Sequence, residues 1–106
     1  MTEYEFGEVN NLITIDTIRA EVDPLTKKYD ISWIDLFGSY ANGNATKKSD
    51  VDFLVKFAAP VPSIFAVMGF KEELSRRLRI PVDVVTFPLS RPEKLIIQKT
   101  IRIYEK

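Results

Sequence analysis

The amino-acid sequence predicts an α+β fold of two layers, a small mixed β-sheet of about three to five strands with helices packed on one face. Two segments carry apolar residues at steps of three and four, the spacing of amphipathic helices. Short runs of branched and aromatic residues, bounded by Gly, Pro, Asn and Asp, are typical of strands. A chain of 106 residues, 45% of them hydrophobic, supplies one modest core. We therefore predict a single domain over residues 13–106, preceded by a loosely ordered arm over residues 1–12 that shows neither period.

The first predicted element is a helix with an apolar stripe of Ile15, Ile18, Val22, Leu25 and Tyr29. Thr14 or Asp16 can cap its start through a side-chain oxygen. Pro24 has no amide hydrogen and its ring crowds the preceding turn. It therefore either kinks this helix or restarts it, with Asp23 as a new N-cap.

The next element is a strand over residues 31–37, which leads directly into Gly38 and Ser39. A glycine here lets the backbone approach a phosphate closely, and Ser39 offers both a hydroxyl and an amide. Residues 38–48 then form a connection between two strands, because their asparagines and glycine have the chemistry of turns. We expect one short helical turn around Tyr40.

A pair of aspartates opens the second predicted strand, which ends at Phe57. Side chains alternate across a strand, so Asp50 and Asp52 emerge on one face and the apolar residues on the other. Two adjacent carboxylates repel each other, which raises the pKa of one of them. A divalent cation bound between them removes the repulsion, so the same pair can form a metal-binding site. An ordinary solvated turn is the alternative interpretation. The strand-forming residues that follow, and the Gly-Ser turn shortly upstream, favour a metal-binding pair suited to chemistry on a nucleoside triphosphate.

The second predicted helix follows Pro60 and Pro62, and Ser63 can cap it. Its apolar stripe consists of Val67, Phe70, Leu74 and Leu78. Its last turn is basic and contains Arg76, Arg77 and Arg79. Cations at a helix C-terminus offset the helix macrodipole, and we favour this structural interpretation of the arginines over a phosphate or RNA contact.

A third strand is predicted over residues 81–87, where Asp83 interrupts an otherwise apolar run that contains only one other polar residue. Charged residues are rarely buried without a partner. If this strand pairs with the second strand, Asp83 converges with Asp50 and Asp52. Three carboxylates can hold two Mg²⁺ ions, with substrate phosphates completing the coordination shells. Alternatively, this is an edge strand with one face in water.

The C-terminal part of the chain predicts one more helix and one more strand. Ser90-Arg91-Pro92-Glu93 has the form of a capping box with proline in the first helical turn, and a short helix through about Lys99 is expected. Residues 100–104 alternate with period two and contain branched residues. They predict a terminal edge strand.

Composition narrows the possible chemistry. The chain has no cysteine and no histidine, which excludes disulfides, thiol catalysis and imidazole ligands or bases. Carboxylates remain as the obvious catalytic groups. Fifteen basic residues balance fifteen acidic ones, whereas a dedicated nucleic-acid binder normally has a basic excess. The acidic N-terminus differs from a signal peptide, and the longest uncharged stretch is well short of a membrane helix, so we expect a cytoplasmic protein with no membrane partner.

Three spaced segments, GSYANG, SDVDFLV and VDVVT, resemble the minimal nucleotidyltransferase family of the DNA polymerase beta superfamily. Members of the family usually read Gly-Ser-x-Ala-Arg-Gly, a variable turn, Ser-Asp-x-Asp-Leu-x-Val and a later strand aspartate. Gly38, Ser39, Asp50, Asp52 and Asp83 fall on those positions. The resemblance extends over nearly the whole chain from about residue 13, and it implies the polymerase beta-like nucleotidyltransferase fold.

The resemblance also implies an activity, the transfer of a nucleoside monophosphate from a nucleoside triphosphate to an acceptor hydroxyl. Asp50, Asp52 and Asp83 would be the catalytic residues and the ligands of two Mg²⁺ ions, with Mn²⁺ as an alternative. Gly38 and Ser39 would bind the phosphates. Small members of the family are often antitoxins that add AMP from ATP to a tyrosine of a HEPN-domain ribonuclease, and a HEPN-type helical protein is therefore the partner we expect.

One position departs from the family pattern, because Asn42 stands where members usually have arginine. An amide cannot neutralise a phosphate as a guanidinium does, and Lys47 or Lys48 in the same loop would have to supply that charge. Two other functions therefore stay open. The domain can be a binding module that masks its partner by contact alone, or a small-molecule nucleotidyltransferase that acts as an oligomer.

Overall fold

The structure, a computed structural model, describes residues 12–88 and 99–106. We number the described elements α1 (Ile15–Lys28), β1 (Ile31–Phe37), α2 (Ser39–Asn42), β2 (Val51–Phe57), α3 (Ile64–Leu78), β3 (Val82–Thr86) and β4 (Ile101–Glu105). They confirm the predicted α+β fold with a small mixed sheet. The predicted N-terminal arm, except residue 12, and almost all of the predicted helix from Ser90 to Lys99 lie outside the described residues.

The four described strands form one sheet in the order β3-β2-β1-β4. β1 is antiparallel to both β2 and β4, whereas β2 and β3 are parallel and α3 connects them. The predicted terminal edge strand is confirmed in β4. Through the registers of β1, β2 and β3, Phe37, Asp52 and Asp83 lie side by side across three neighbouring strands.

The hydrophobic core lies between one face of this sheet and the two long helices. β2 contributes every second side chain to it, as the alternation of a strand requires. The core side chains of β2 and the two helices are Val51, Phe53, Val55, Phe57, Ile18, Val22, Leu25, Phe70, Leu74 and Leu78. Each fully buried aliphatic or aromatic side chain contributes roughly 1.5–3 kcal/mol of transfer free energy. Both long helices therefore cover the same face of the sheet, as the sequence predicted.

Side-chain caps begin both long helices where the sequence predicted them. The Thr14 hydroxyl accepts a hydrogen bond from the backbone N–H of Thr17 at 3.1 Å. The Ser63 hydroxyl accepts one from the backbone N–H of Phe65 at 3.1 Å. Each bond satisfies an amide that has no partner within its own helix.

The predicted restart of the first helix at Pro24 is wrong, because α1 continues through Pro24 to its end. Val22 and Leu25 are buried on either side of the proline, which itself is exposed. The proline φ is compatible with a helix, and burial of the flanking residues outweighs the lost backbone hydrogen bond. The Thr26 hydroxyl also donates to the Asp23 carbonyl at 2.8 Å.

The basic end of α3 has a structural role in this fold. Arg77 donates to the Glu21 carboxylate of α1 at 3.2 Å. One turn earlier, Glu73 accepts hydrogen bonds from Lys28 and from the Tyr29 hydroxyl, both at 2.9 Å. These contacts join α3 to α1 on their solvent side, and they support the interpretation of the arginines as structural residues.

A buried carboxylate lies on the other side of β1 from the core. Asp35 is only 8% exposed, and its register partner in β4 is Arg102. The Arg102 guanidinium donates from Nε to one oxygen of Asp35 and lies 3.5 Å from the other. It also stacks 4.8 Å from the centre of the Trp33 ring. A buried charge requires such a partner, and this pair therefore ties the terminal strand to the centre of the sheet.

No helix within residues 12–88 and 99–106 is long and apolar enough to cross a membrane.

Removing the cation of this pair should destabilise the fold. We expect Arg102→Met to lower the free energy of unfolding by about 2–3 kcal/mol, because it leaves the Asp35 carboxylate buried without a partner. Adding Asp35→Asn to that variant should recover most of the loss. Urea denaturation followed by the fluorescence of Trp33, the single tryptophan, measures both effects.

The matched control is Lys106→Met, which removes an exposed ion pair with Asp30 at 3.3 Å and should cost less than about 1 kcal/mol. Equal losses for Arg102→Met and Lys106→Met would contradict the importance of the buried pair.

Candidate active site

The candidate site forms where β1 ends and β2 begins. Gly38 follows β1 with φ of +78°, a conformation that favours glycine. A Cβ atom at this position would lie 2.2 Å from Oδ2 of Asp52. The backbone of Gly38 is therefore packed directly against the Asp52 carboxylate, and only glycine leaves room for both. The Gly-Ser turn and the aspartate pair, separate in the sequence, meet at this edge of the sheet.

Ser39 and Asn42 bound the single helical turn α2 that follows Gly38. The Asn42 backbone N–H donates to the Gly38 carbonyl at 2.9 Å, and the Asn44 N–H donates to the Ser39 carbonyl at 3.1 Å. These bonds fix the turn beside Asp52. The short helical turn predicted around Tyr40 is confirmed.

Two carboxylates are side by side at the start of the parallel strands. Asp52 of β2 is the register partner of Asp83 in β3. Asp52 is half-buried, whereas Asp50 and Asp83 are exposed. Burial raises the pKa of Asp52, and so do the charges of Asp83 and Asp50 and a hydrogen bond with the Asp83 side chain. The site therefore concentrates negative charge at a place where burial already disfavours it.

The donor set suits a magnesium ion, although the three aspartates do not converge equally. Within residues 12–88 and 99–106, no group of three or more acidic, histidine or cysteine side chains is arranged to hold a metal ion. The structure brings Asp52 and Asp83 together, and Asp50 is near enough for its charge to act on Asp52. Mg²⁺ usually binds through one or two carboxylates, with water and substrate phosphates as its other ligands. Two adjacent carboxylates at an accessible edge fit that requirement.

The loop before Asp50 is held by its own hydrogen bonds. The Thr46 backbone N–H donates to the Ser49 hydroxyl at 2.8 Å, and the Ser49 N–H donates to the Thr46 carbonyl at 2.9 Å. Lys47 and Lys48 are exposed within this turn. The turn thus leads directly into β2 and positions Asp50 at the edge of the site.

Sequence reasoning missed one residue at this site, Lys71. It lies in the middle of α3, and its ammonium is 4.0 Å from a carboxylate oxygen of Asp83. A lysine on the solvent side of an amphipathic helix carries no signal of such a role in the sequence. Only the β2–α3–β3 connection reveals that this side chain reaches the edge strand.

Comparison with known proteins places the chain among nucleotidyltransferases. Residues 15–104 match the family model described as the nucleotidyltransferase domain. The chain is 33% identical over 78 residues to the protein adenylyltransferase MntA of Thermococcus cleftensis, a match that covers 74% of this chain and 73% of that protein. It is 39% identical over 70 residues to a candidate protein adenylyltransferase of Methanocaldococcus jannaschii, covering 66% of this chain and 70% of that protein.

Solved structures share the fold. A crystal structure of a toxin–antitoxin with AMP-PNP superposes with a TM-score of 0.68 at 22% identity, covering 83% of this chain and 73% of the matched chain. A complex of tri-AMPylated Shewanella oneidensis HEPN toxin with MNT antitoxin gives a TM-score of 0.64 at 18% identity, covering 88% and 74%. At these identities the likeness shows the fold alone.

Gly38 and Gly43 provide a matched pair of substitutions, since both have positive φ but only Gly38 faces a carboxylate. A Cβ at Gly43 would meet nothing within 4 Å. We expect Gly43→Ala to lower the free energy of unfolding by about 1–2 kcal/mol. Gly38→Ala should lower it by more, because its backbone conformation is one that almost only glycine adopts and its Cβ would clash with Asp52. Only Gly38→Ala should also displace Asp52, which NMR titration of the aspartate carboxyl carbons detects as a changed pKa. An unchanged Asp52 pKa in Gly38→Ala would show that the contact is not tight.

The raised pKa of Asp52 predicts a pH-dependent stability. The folded protein retains the Asp52 proton to higher pH than the unfolded chain does, so this group lowers stability as the pH rises from about 4 through the folded pKa. Without divalent cations at pH 7, Asp52→Asn should therefore raise the melting temperature by roughly 2–5 °C. The gain should disappear at about pH 3, where both states are protonated.

Asp30→Asn serves as the control for this measurement, because Asp30 is exposed and adopts a positive φ that asparagine tolerates. It should change the melting temperature little at either pH. An unchanged or lower melting temperature of Asp52→Asn at pH 7 would contradict the prediction.

Proposed function

The chain belongs to the nucleotidyltransferase domain family, as its resemblance to the minimal nucleotidyltransferases predicted, and on that premise we propose that it transfers a nucleoside monophosphate to a hydroxyl of a partner protein. We propose ATP as the donor and AMP as the transferred group. The observation that carries this proposal is that the Asp52 carboxylate lies beside Asp83 and packs against the backbone of Gly38. The acidic pair can bind the metal ions of a metal–nucleotide complex, and the adjacent Gly38-Ser39 turn has room for its phosphates.

Asp50, Asp52 and Asp83 would hold Mg²⁺, in two ions as the family resemblance implies, with Mn²⁺ as a possible substitute. The bound metal supplies charge neutralisation at the phosphates and lowers the pKa of the acceptor hydroxyl. Asp52 is half-buried and fixed in the register of β2, so it defines the position of the site. Asp50 lies two residues earlier in the chain and Asp83 lies opposite Asp52 in β3, and both are exposed.

Gly38 and Ser39 would orient the triphosphate through backbone N–H groups and the Ser39 hydroxyl. Donors fixed in this way stabilise the negative charge that develops on the leaving group. In the proposed step, the acceptor oxygen attacks the α-phosphorus and the bond to the β-phosphate oxygen breaks, so that pyrophosphate leaves. Asp83, the exposed carboxylate beside Asp52, would take the proton of the acceptor hydroxyl.

We propose a HEPN-type toxin as the acceptor and an antitoxin role for this chain. MntA of Thermococcus cleftensis is named as a protein adenylyltransferase, and a structural neighbour is an MNT antitoxin bound to a tri-AMPylated HEPN toxin. The site is consistent with a protein acceptor, because the exposed carboxylates can be reached from outside.

Transfer of label from α-labelled ATP tests the proposal. The purified chain, incubated with Mg²⁺, labelled ATP and a lysate of its source cells, should label one protein band. Asp52→Asn should reduce labelling at least about 100-fold, because the metal loses its half-buried ligand. Asp30→Asn, an exposed aspartate far along the sequence from the site, is the control and should label as the wild type does.

The replacement of the usual arginine by Asn42 favours a second candidate function, in which the chain masks its partner by contact alone. Neutralisation of the toxin in cells distinguishes this function from catalysis. Loss of protection in Asp52→Asn, with complex formation retained, is the outcome expected for an enzyme. Protection that survives this substitution would overturn the transferase proposal and leave a binding module.

A further inference from the structure

Lys71 forms an ion pair with one carboxylate of the site, that of Asp83. Its helix, α3, lies between β2 and β3 in the chain and packs against β3. The Lys71 Nζ lies 4.0 Å from Oδ1 of Asp83, with the two side chains 50% and 56% exposed. The family resemblance gives this lysine no function.

A pair this exposed contributes little to folding stability. Solvent screens the two charges, and ordering two side chains opposes their attraction, so such pairs are worth roughly 0–1 kcal/mol. Lys71 is also outside the core, and α3 is already fixed by Phe70, Leu74 and Leu78. Stability of the fold therefore does not explain the contact.

The negative charge of the site offers an electrostatic explanation for the contact between Lys71 and Asp83. Asp52, Asp83 and Asp50 crowd three negative charges at the start of two strands. Like charges so placed repel each other until a cation arrives. The Lys71 ammonium supplies one positive charge at Asp83, on the solvent side of the group.

We propose that Lys71 is a positioning residue, a built-in counter-ion that occupies Asp83 while the site is empty and gives it up to a divalent cation. This inference rests on the proposed function, because it takes Asp83 as a metal ligand. The ammonium and the divalent cation compete for the same carboxylate. Lysine suits this task, because its ammonium is a point charge on a flexible four-carbon stem and can leave Asp83 without moving α3.

The same exchange would bring a positive charge to the phosphates. When a metal–nucleotide complex takes Asp83, the Lys71 ammonium is released beside a strongly negative substrate. Asn42 cannot provide a positive charge there. Metal binding at the carboxylates would in this way free the Lys71 ammonium to neutralise the negative charge of the substrate phosphates.

Calorimetric titration of Mg²⁺ and Mn²⁺ into the nucleotide-free protein tests this role. Lys71→Met should bind each cation about fivefold more tightly than the wild type, the effect of one unit charge at about 4 Å in water. The difference should shrink at about 1 M salt, where charges are screened over roughly 3 Å. Lys71→Arg, which keeps the charge, should bind the cations as the wild type does.

Lys106→Met is the matched control, because it removes another exposed lysine–aspartate pair, at 3.3 Å, and should leave cation affinity unchanged. All variants should melt within about 2 °C of the wild type. Equal or weaker cation binding in Lys71→Met would overturn the proposal, as would the absence of any cation binding in wild type and variant. Because the titration contains no nucleotide, its result is distinguishable from a failure of label transfer.

Discussion

The register of β2 is the constraint on which the rest of the structure depends. Its alternate side chains Val51, Phe53, Val55 and Phe57 are buried against the helices, and this burial fixes which face each residue of the strand occupies. A slip of one residue would exchange the two faces and direct the apolar residues away from the core. The position of Asp52 beside Asp83 and Gly38 is therefore determined by hydrophobic packing, not by interactions among the polar groups themselves.

This arrangement lets the core stabilise a site that opposes folding. The carboxylates repel one another, and burial makes the charge on Asp52 still less favourable. Such a group would neutralise or move away if its backbone were free. Here the backbone is held by the central strands of the sheet, so the carboxylates stay together despite this cost. The stability of the apolar face therefore outweighs the electrostatic cost of the polar face.

The sequence predicted the features that arise from local pattern and missed those that arise from distant contacts. Periodicity located β2 and both long helices. The sequence predicted that Asp83 lies beside Asp52 only on the condition that their strands pair, and they do. The sequence left open whether α1 kinks or restarts at Pro24, because the tertiary burial of its neighbours, which excludes the restart, is not visible in local propensity. The contacts of Lys71 with Asp83 and of Arg102 with Asp35 join residues far apart in the chain, and neither side of these pairs has a distinctive local sequence.

The strand order also has a consequence for synthesis of the chain. β1 is an inner strand of the sheet, yet one of its two neighbours, β4, is the last described element to be made. Until β4 leaves the ribosome, β1 presents an unpaired edge that carries Trp33 and the charge of Asp35 without its guanidinium. Exposed edges of this kind invite pairing with other chains. The nascent protein therefore passes through a stage at which β1, β2 and β3 are already present but the sheet is open to aggregation, and pairing with β4 closes that route.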